Sequence, residues 1–286
     1  KGIQVQAIID IRENSKSAIV NEAINLGIKI YWSHTVVDTY GYKKLHKISL
    51  MELSNDGQST IGSKINIDCD CLGVSGGWTP AVHLFTQSGG KLKFRDEDEV
   101  FIPNIYPSKQ ISIGSCNGDF TLNEIIKNSS NSLKEFLEIE NTEYDNLNII
   151  NSIETDKRNI WLLPSDKVIG KTKPFVDYQN DATAKDIKLA LREGFRSIEH
   201  VKRYTTTGMG TDQGKLGNMH ALGIIADTAG VKMGELGTTT FRPPYTPLTF
   251  GTIVGRNVGE YFDTFRRTPM NNWHLDNKAE FENVGQ

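Results

Sequence analysis

The sequence contains little cysteine, no excess of charge of either sign and no long apolar run. Its 286 residues include three cysteines, 32 Lys plus Arg and 35 Asp plus Glu, which gives a net charge of −3. Three cysteines are too few for a disulfide framework, so a cytoplasmic location is expected. The balanced charge offers no basic face to nucleic acid or to a membrane surface. No apolar run approaches the roughly 20 residues that a membrane-spanning helix needs.

Residue patterns that would indicate a metal centre are also missing. The six histidines are scattered without the spacing of metal ligands, and three cysteines cannot supply four thiolates to zinc or to an iron–sulfur cluster. Cys69 and Cys71 stand two positions apart in a strand pattern, which puts both on one face of the strand. We expect both to be small buried hydrophobic residues.

The start of the chain predicts an α/β fold. A strand ending at Asp10, a helix ending at Gly27 and a second strand at 28–31 make a βαβ unit. Three further strand-like runs, 32–37, 45–53 and 64–74, follow with turn residues between them, as in an antiparallel meander. This order is typical of a nucleotide-binding domain of the flavin disulfide-oxidoreductase type.

A dinucleotide fingerprint is absent from the first βα turn, because residues 11–14 contain no glycine. If a glycine-rich turn precedes the chain, Asp10 stands where a ribose-binding acid would lie; otherwise Asp10 caps the end of a strand. A second candidate is a short strand at Ile111 and Ile113 that leads through a glycine turn to a helix beginning near Thr121. This pattern favours the phosphate or ribose of a nucleotide, although a plain βα turn needs glycine as well.

The middle of the chain predicts a linker and then a group of short helices. Residues 128–172 are rich in Asn, Ser, Glu and Asp, and we interpret them as a polar linker. Helices then start after Thr183 and Ser197, and a third spans 216–228 and stops at Gly230. Three short helices bury little surface alone, so we expect them to pack on the first domain or on a partner chain.

The densest group of polar residues lies between 199 and 215. Lysine and arginine supply charge there, threonines supply hydroxyls, and glycines expose backbone amides. Together these donors suit an anion, most simply a phosphate. The alternative is a solvated, capped loop between two helices. The residues expected to contact the anion are Arg203, Thr205, Thr206, Gln213 and Lys215.

Five segments of the chain together resemble the alpha subunit of heterotetrameric sarcosine oxidase. They are 70–84 (DCLGVSGGWTPAVHL), 174–181 (PFVDYQND), 194–205 (GFRSIEHVKRYT), 211–215 (TDQGK) and 237–247 (GTTTFRPPYTP). The resemblance implies a central part of such a subunit, without the N-terminal NAD-fingerprint part and the C-terminal folate-binding domain. It divides the chain into part of an FAD/NAD(P)-binding-like domain (1–127), the linker (128–172), a small helical domain (173–235) and an extended segment leading to an aminomethyltransferase-like domain (236–286).

The helical domain is also similar to the small 2Fe–2S module of bacterioferritin-associated ferredoxin and of related amine dehydrogenase subunits. Asp177, Gln179, Asp212 and Gly217 stand where those modules place their four cysteines. The resemblance therefore implies a ferredoxin-like fold without an iron–sulfur cluster, with no bound metal and with its electron-transfer role lost.

The resemblance also implies an activity that is shared among several chains. In the family, sarcosine is oxidised at FAD on the beta subunit, electrons pass to FMN at the alpha–beta interface, and oxygen is reduced there to hydrogen peroxide. The one-carbon unit goes to tetrahydrofolate, and glycine is left. The alpha subunit binds NAD, and gamma and delta subunits complete the assembly. The isolated chain is expected to be inactive, with no catalytic residue of its own.

Two sets of contacts follow from the resemblance. The anion-binding residues between 199 and 215 would hold the FMN phosphate from the alpha side. The turn at 115–122 would belong to the NAD site through Ser115, Phe120, Thr121 and Leu122. Competing interpretations are the alpha subunit of a related proline, glycine or opine dehydrogenase, and a plain NAD-binding scaffold.

Overall fold

The computed structural model describes residues 2–107, 109–140, 158–167, 171–256, 259 and 266–282. The chain divides into two compact units, Lys1–Tyr245 and Thr246–Gln286. The smaller unit contains two short helices, Phe250–Val254 and Asn271–Asp276. These helices interrupt the stretch that was predicted to be extended, so that prediction is wrong for them.

The larger unit opens with the expected parallel βαβ unit. Strand β1 (Ile8–Asp10) pairs in parallel with β2 (Ile30–Trp32), and helix α1 (Ala18–Asn25) connects them. Gly27 follows the helix with a φ of 74°, a conformation that costs a residue with a β-carbon about 1 kcal/mol. The glycine stop is therefore confirmed, and β1 is shorter than the apolar alternation suggested.

An antiparallel meander follows, with strands in the order β3 (His34–Tyr40), β4 (Lys47–Leu53) and β5 (Thr60–Asp68). The central strand β4 carries the core of the sheet, since most of its apolar side chains are buried. The sheet ends at Asp68, one residue before Cys69. Cys69 is therefore only partly buried and Cys71 is exposed, so the prediction that both are buried is wrong.

A helix, a hairpin and a long helix come next. They are α2 (His83–Gln87), β6 (Lys91–Arg95), β7 (Val100–Ile105) and α3 (Leu122–Leu137), with one 3-10 turn at Gly114–Asn117 before α3. Thr121 and Glu124 form a capping box that starts α3. The strand predicted at Ile111 and Ile113 is not formed, because the backbone there is irregular.

The predicted linker at 128–172 needs correction in its first part. Residues 128–137 belong to helix α3, which continues through Leu137. They are polar because the helix is mostly exposed, with Ser130 as its buried residue. Residues 141–157 and 168–170 lie outside the described residues. The segment 158–167 is held against the meander by Arg158, whose guanidinium donates to the carbonyl oxygens of Ile11 (2.8 Å) and Ser54 (2.7 Å).

The C-terminal part of the larger unit is the helical module. It contains β8 (Phe175–Asp177), β9 (Ala182–Thr183), α4 (Ala184–Arg192), α5 (Ile198–Thr205), α6 (Asn218–Ala229) and α7 (Met233–Leu236). Asp186 accepts hydrogen bonds from the Thr183 backbone nitrogen (2.8 Å) and hydroxyl (2.7 Å), which fixes the start of α4 as predicted. Helix α6 begins two residues later than expected, and Gly230 ends it in a left-handed conformation.

The helices do not form a core of their own. Ile187, Leu222 and Ile225 are buried in a cluster that also contains Phe101 of β7, and Phe94 of β6 packs against it. The helical module therefore completes its hydrophobic core with the β6–β7 hairpin, as its small size requires. Both parts belong to one compact unit, and removing any one of these side chains would cost about 2–5 kcal/mol.

Candidate functional site

The four positions that match cluster cysteines lie around one loop. The carboxylate of Asp177 is buried and accepts hydrogen bonds from the backbone nitrogens of Gln179 (2.9 Å) and Gly208 (2.7 Å). The amide oxygen of Gln179 accepts from the backbone nitrogen (2.7 Å) and hydroxyl (2.9 Å) of Thr211. The β8 turn is thereby joined to the loop that precedes α6.

The other two matched positions complete this loop. Asp212 accepts from the backbone nitrogens of Gly214 (3.1 Å) and Leu216 (3.2 Å). A β-carbon at Gly217 would lie 2.2 Å from the carbonyl oxygen of Val176, so this backbone has no room for a side chain there. The residues present do not fit an iron–sulfur cluster, because they offer no thiolate and their oxygens are already bonded to backbone amides.

The anion-binding residues predicted between 199 and 215 do not point to one place. Arg203 is exposed and forms an ion pair with Glu199 (3.0 Å), and its guanidinium also donates to the Glu199 carbonyl oxygen (2.8 Å). The other carboxylate oxygen of Glu199 accepts from the Thr240 backbone nitrogen (2.6 Å). Burial raises the pKa of Glu199, but this hydrogen bond and the nearby cations leave its pKa below the usual value.

The hydroxyls and the amide of this segment are bonded within their own loop. The Thr205 hydroxyl is buried and bonds to the Val201 carbonyl oxygen (2.8 Å) and to the Thr207 hydroxyl (2.8 Å). The Thr206 hydroxyl donates to the Thr205 carbonyl oxygen (2.6 Å), and the Gln213 amide donates to the Gly210 carbonyl oxygen (3.0 Å). These groups would have to exchange their present partners in order to bind a ligand.

Lys215 has a different environment. Its ammonium donates to the carbonyl oxygens of Asp212 and Tyr245 and lies 4.3 Å from the centre of the Tyr245 ring. In the described part of the chain no carboxylate lies within salt-bridge distance of it. Lys215 is therefore better placed than Arg203 to pair with an anion.

His83 and Lys215 both lie near the Tyr245 ring, and no pattern in the sequence had singled out His83. Its ring is 3.8 Å from the Phe241 ring and 6.0 Å from the Tyr245 ring, centre to centre. The residue is 7% exposed, and neither ring nitrogen has a hydrogen-bond partner among the described residues. Burial, and then the charge of Lys215, lower the pKa of His83 to about 4, while Asp212 opposes this shift.

The turn expected to bind NAD borders a cavity of about 360 Å³. Phe120 and Thr121 line the cavity, whereas the exposed side chains of Ser115 and Leu122 are not part of its lining. The structure thus brings two of the four predicted residues to one cavity. Arg95 also lines the cavity, where it pairs with Asp98 and donates to the carbonyl oxygen of Gly118 (2.7 Å).

Asp119 is the most informative residue of this cavity. One of its carboxylate oxygens accepts from the Asn128 amide (2.8 Å), and the other is buried with no hydrogen-bond partner in the described part of the chain. A buried carboxylate oxygen needs a donor, and a ribose hydroxyl is a suitable one. The Gly118-Asp119 pair after a glycine turn was visible in the sequence, but only the fold shows that Asp119 faces a cavity.

Of the two roles considered for Asp10, its contacts favour the cap at the end of a strand over the ribose-binding acid. Arg12 donates to both of its carboxylate oxygens, at 3.0 Å from Nε and 2.6 Å from Nη2. Burial raises the pKa of Asp10, but the bonds from Arg12 outweigh this and leave its pKa below the ordinary value. A ribose would have to compete with this pair.

Two further findings concern the residues that the structure describes. No group of three or more His, Cys, Asp or Glu side chains among them is arranged to hold a metal ion. None of the helices built from them is both long and apolar enough to cross a membrane.

The fold defines a mixed α/β protein in which a βαβ unit, a meander and a helical module share one unit. A similar fold occurs in the crystal structure of L-proline dehydrogenase from P. horikoshii, with a TM-score of 0.56 at 19% identity over 88% of this chain and 50% of that chain. At this identity the likeness concerns the fold alone.

The particular relatives are more specific. Residues 171–257 match the family model described as the sarcosine oxidase A3 domain. The chain is 35% identical over 99% of its length to the alpha subunit of sarcosine oxidase from Corynebacterium sp. (strain P-1), and 32% identical over 99% to that from Rhizobium meliloti (strain 1021). It spans about 30% of the first relative's length. The resemblance to sarcosine oxidase alpha subunits is therefore confirmed.

Proposed function

We propose that this chain is part of the alpha subunit of a multi-subunit sarcosine oxidase, an FAD- and FMN-dependent oxidoreductase acting on CH–NH donors. The observation that carries the proposal is 35% identity to such a subunit along 99% of the chain. In the proposed reaction sarcosine becomes glycine, the one-carbon unit passes to tetrahydrofolate, and oxygen becomes hydrogen peroxide. FAD belongs to a partner subunit, and beta, gamma and delta chains complete a cytoplasmic heterotetramer.

NAD binding is proposed at the cavity beside Asp119. The unpartnered oxygen of Asp119 would accept from a ribose hydroxyl, and Phe120 and Thr121 would contact the nucleotide. Ser115 and Leu122 would complete the site from the rim of the turn. Glu97, Asp98 and Glu124 also line the cavity, so its charge suits the hydroxyl-bearing part of a dinucleotide better than its phosphates.

The alpha side of an interface FMN site is proposed at Arg203, Thr205, Thr206, Gln213 and Lys215. FMN, when bound, would supply an electron acceptor between the FAD and oxygen. What supports the proposal is Lys215, a cation near the surface whose present partners are backbone carbonyl oxygens and an aromatic ring. The helical module is proposed to be a scaffold without an iron–sulfur cluster, because its loop is closed by Asp177, Gln179 and Asp212.

The proposal is tested by assembling the chain with its candidate partner subunits. Native mass spectrometry of the complex should give the subunits together with one FAD and one FMN, and oxygen consumption should depend on sarcosine. The isolated chain with added flavins should show no turnover. Turnover by the isolated chain, or a complex without flavin, would contradict the proposal; the second result would favour a plain NAD-binding scaffold.

A related amine oxidoreductase is the second candidate. A 74-residue part of the chain is 34% identical to one of the subunits of an opine oxidase from Rhizobium meliloti (strain 1021). That similarity covers 26% of the chain, which makes it the weaker of the two. Comparing sarcosine, proline and an opine as substrates of the assembled complex separates these possibilities.

A further inference from the structure

Three distant parts of the chain meet around His83. His83 begins α2, Lys215 lies just before α6, and Phe241 and Tyr245 belong to the segment after α7. The charged groups that act on the His83 ring are the Lys215 ammonium and the Asp212 carboxylate. We call these five residues the His83 cluster.

In the described part of the chain, two groups of the His83 cluster, the His83 ring and the Lys215 ammonium, lack the partners that such groups usually have. Both ring nitrogens of His83 are buried without a partner among the described residues, although about nine in ten buried polar groups in folded proteins have one. Lys215 lies 4.3 Å from the centre of the Tyr245 ring, and that centre is 6.0 Å from the centre of the His83 ring. The charge of Lys215 is compensated by carbonyl oxygens and the face of Tyr245. A buried ring N–H and an ammonium bonded to carbonyl oxygens, both near one tyrosine ring, are a donor set for an anion.

We propose that His83 and Lys215 together hold a phosphate monoester, and that Arg203 contributes less to its binding. The Lys215 ammonium would exchange the Tyr245 carbonyl oxygen for a phosphate oxygen, and the His83 ring N–H would donate to a second oxygen. The inference rests on the proposed function, because it places the phosphate of the FMN at the Lys215 end of the 203–215 segment. The ion pair of Arg203 with Glu199 leaves that guanidinium engaged elsewhere.

A phosphate monoester suits this cluster better than a neutral ligand. Its two negative charges would offset Lys215 and would make protonation of the His83 ring easier. The half-buried Tyr245 lies over the lysine, so a modest shift of its segment would open the approach. Phe241 packs on His83 and would keep the ring in place.

The first test uses NMR of the histidine rings of the chain itself, with inorganic phosphate, FMN or riboflavin as the probe. Without a ligand, the His83 ring should stay neutral down to about pH 4. Saturating phosphate or FMN should raise the midpoint of its titration by at least about one unit, and riboflavin, which has no phosphate, should not. The ring of His46 serves as the internal control. An unchanged His83 signal with both phosphate and FMN would overturn the inference.

The second test separates this inference from the proposed function. In the assembled complex, Lys215→Met and His83→Phe should each weaken FMN binding about tenfold or more, and Arg203→Ala less than about threefold. Loss of FMN with Arg203→Ala alone would overturn the inference while leaving the FMN proposal intact. If all three variants keep FMN and His83 still responds to inorganic phosphate, the anion site stands and the FMN assignment fails.

Discussion

The indole of Trp161 lies directly against Gly223 in the middle of α6. A β-carbon at residue 223 would come within 2.0 Å of the indole Cγ. Trp161 belongs to the segment 158–167, and its ring also meets the His220 ring edge-on at 6.1 Å. Three residues earlier, Arg158 donates to the carbonyl oxygens of Ile11, which follows β1, and of Ser54, which follows β4. The segment therefore connects the meander to the helical module.

We predict that Gly223→Ala destabilises the protein by at least about 2 kcal/mol, because the added methyl group overlaps a packed ring. Urea unfolding followed by circular dichroism measures the free energy. Gly73→Ala is the matched control, since nothing in the described part of the chain lies within 4 Å of a β-carbon at Gly73. In a Trp161→Ala background the cost of Gly223→Ala should shrink. An unchanged cost there would show that the indole is not its cause.

A second prediction concerns Asp38 of β3, whose carboxylate pairs with Lys167 of the segment 158–167. Lys167 and Lys64 both pair with this carboxylate, and the hydrogen bond from Lys167 is the main reason that the pKa of Asp38 lies below its ordinary value of 3.8. A carboxylate with a lowered pKa stabilises the folded state fully above its unfolded pKa and loses this effect as the pH falls through the folded pKa.

Asp38→Asn should therefore lower the free energy of unfolding at pH 7, and the difference from the wild type should disappear as the pH falls through the lowered pKa of Asp38. The measurement is urea unfolding at a series of pH values. High salt should reduce the difference at pH 7, because the pairs are near the surface and the Debye length at 1 M is about 3 Å. A difference that persists at low pH would point to packing and not to charge.

The elements with strong local signals could be predicted from the sequence. The βαβ unit, the meander and the helices that start at Thr183 and Ser197 have clear apolar periods. A glycine with positive φ also follows α1 and α4. Helix α3 could not be separated from a linker, because its buried residue is Ser130 and its surface is polar. The burial of Cys69 could not be predicted, because the alternation of apolar and polar residues continues past Asp68, where β5 ends.

The candidate sites could be predicted only in part, because burial depends on distant parts of the chain. Phe120 and Thr121 were identified from the glycine turn, but the unpartnered oxygen of Asp119 follows from how α3 packs. His83 looks like an ordinary residue in the sequence. Its importance arises only when Phe241 and Tyr245 cover it.

His83 should make stability fall in mild acid. Its pKa is about 4 in the folded protein and 6.5 ordinarily, so between these values the unfolded state binds more protons and stability rises with pH. The loss between pH 6.5 and 4 should reach about 3 kcal/mol. His83→Phe should remove this slope and stabilise the ligand-free protein, because it deletes two buried unpartnered nitrogens. Unfolding at pH 7 and pH 5 measures both effects, and an unchanged slope in His83→Phe would contradict the prediction.

Asp119→Asn should weaken NAD binding and leave the fold intact. The amide oxygen of the new side chain can still accept from Asn128, and its NH2 group then replaces the unpartnered oxygen. An NH2 group cannot accept from a ribose hydroxyl, and a bond that it donates to the hydroxyl lacks the charge of the carboxylate, so binding should fall about tenfold. Glu97→Gln, on the same cavity, should change affinity much less, because among the described residues Glu97 has no buried unpartnered oxygen. Calorimetric titration with NAD measures both. Equal losses in the two variants would mean that Asp119 acts only through its charge, and an assembled complex that does not bind NAD would exclude the site.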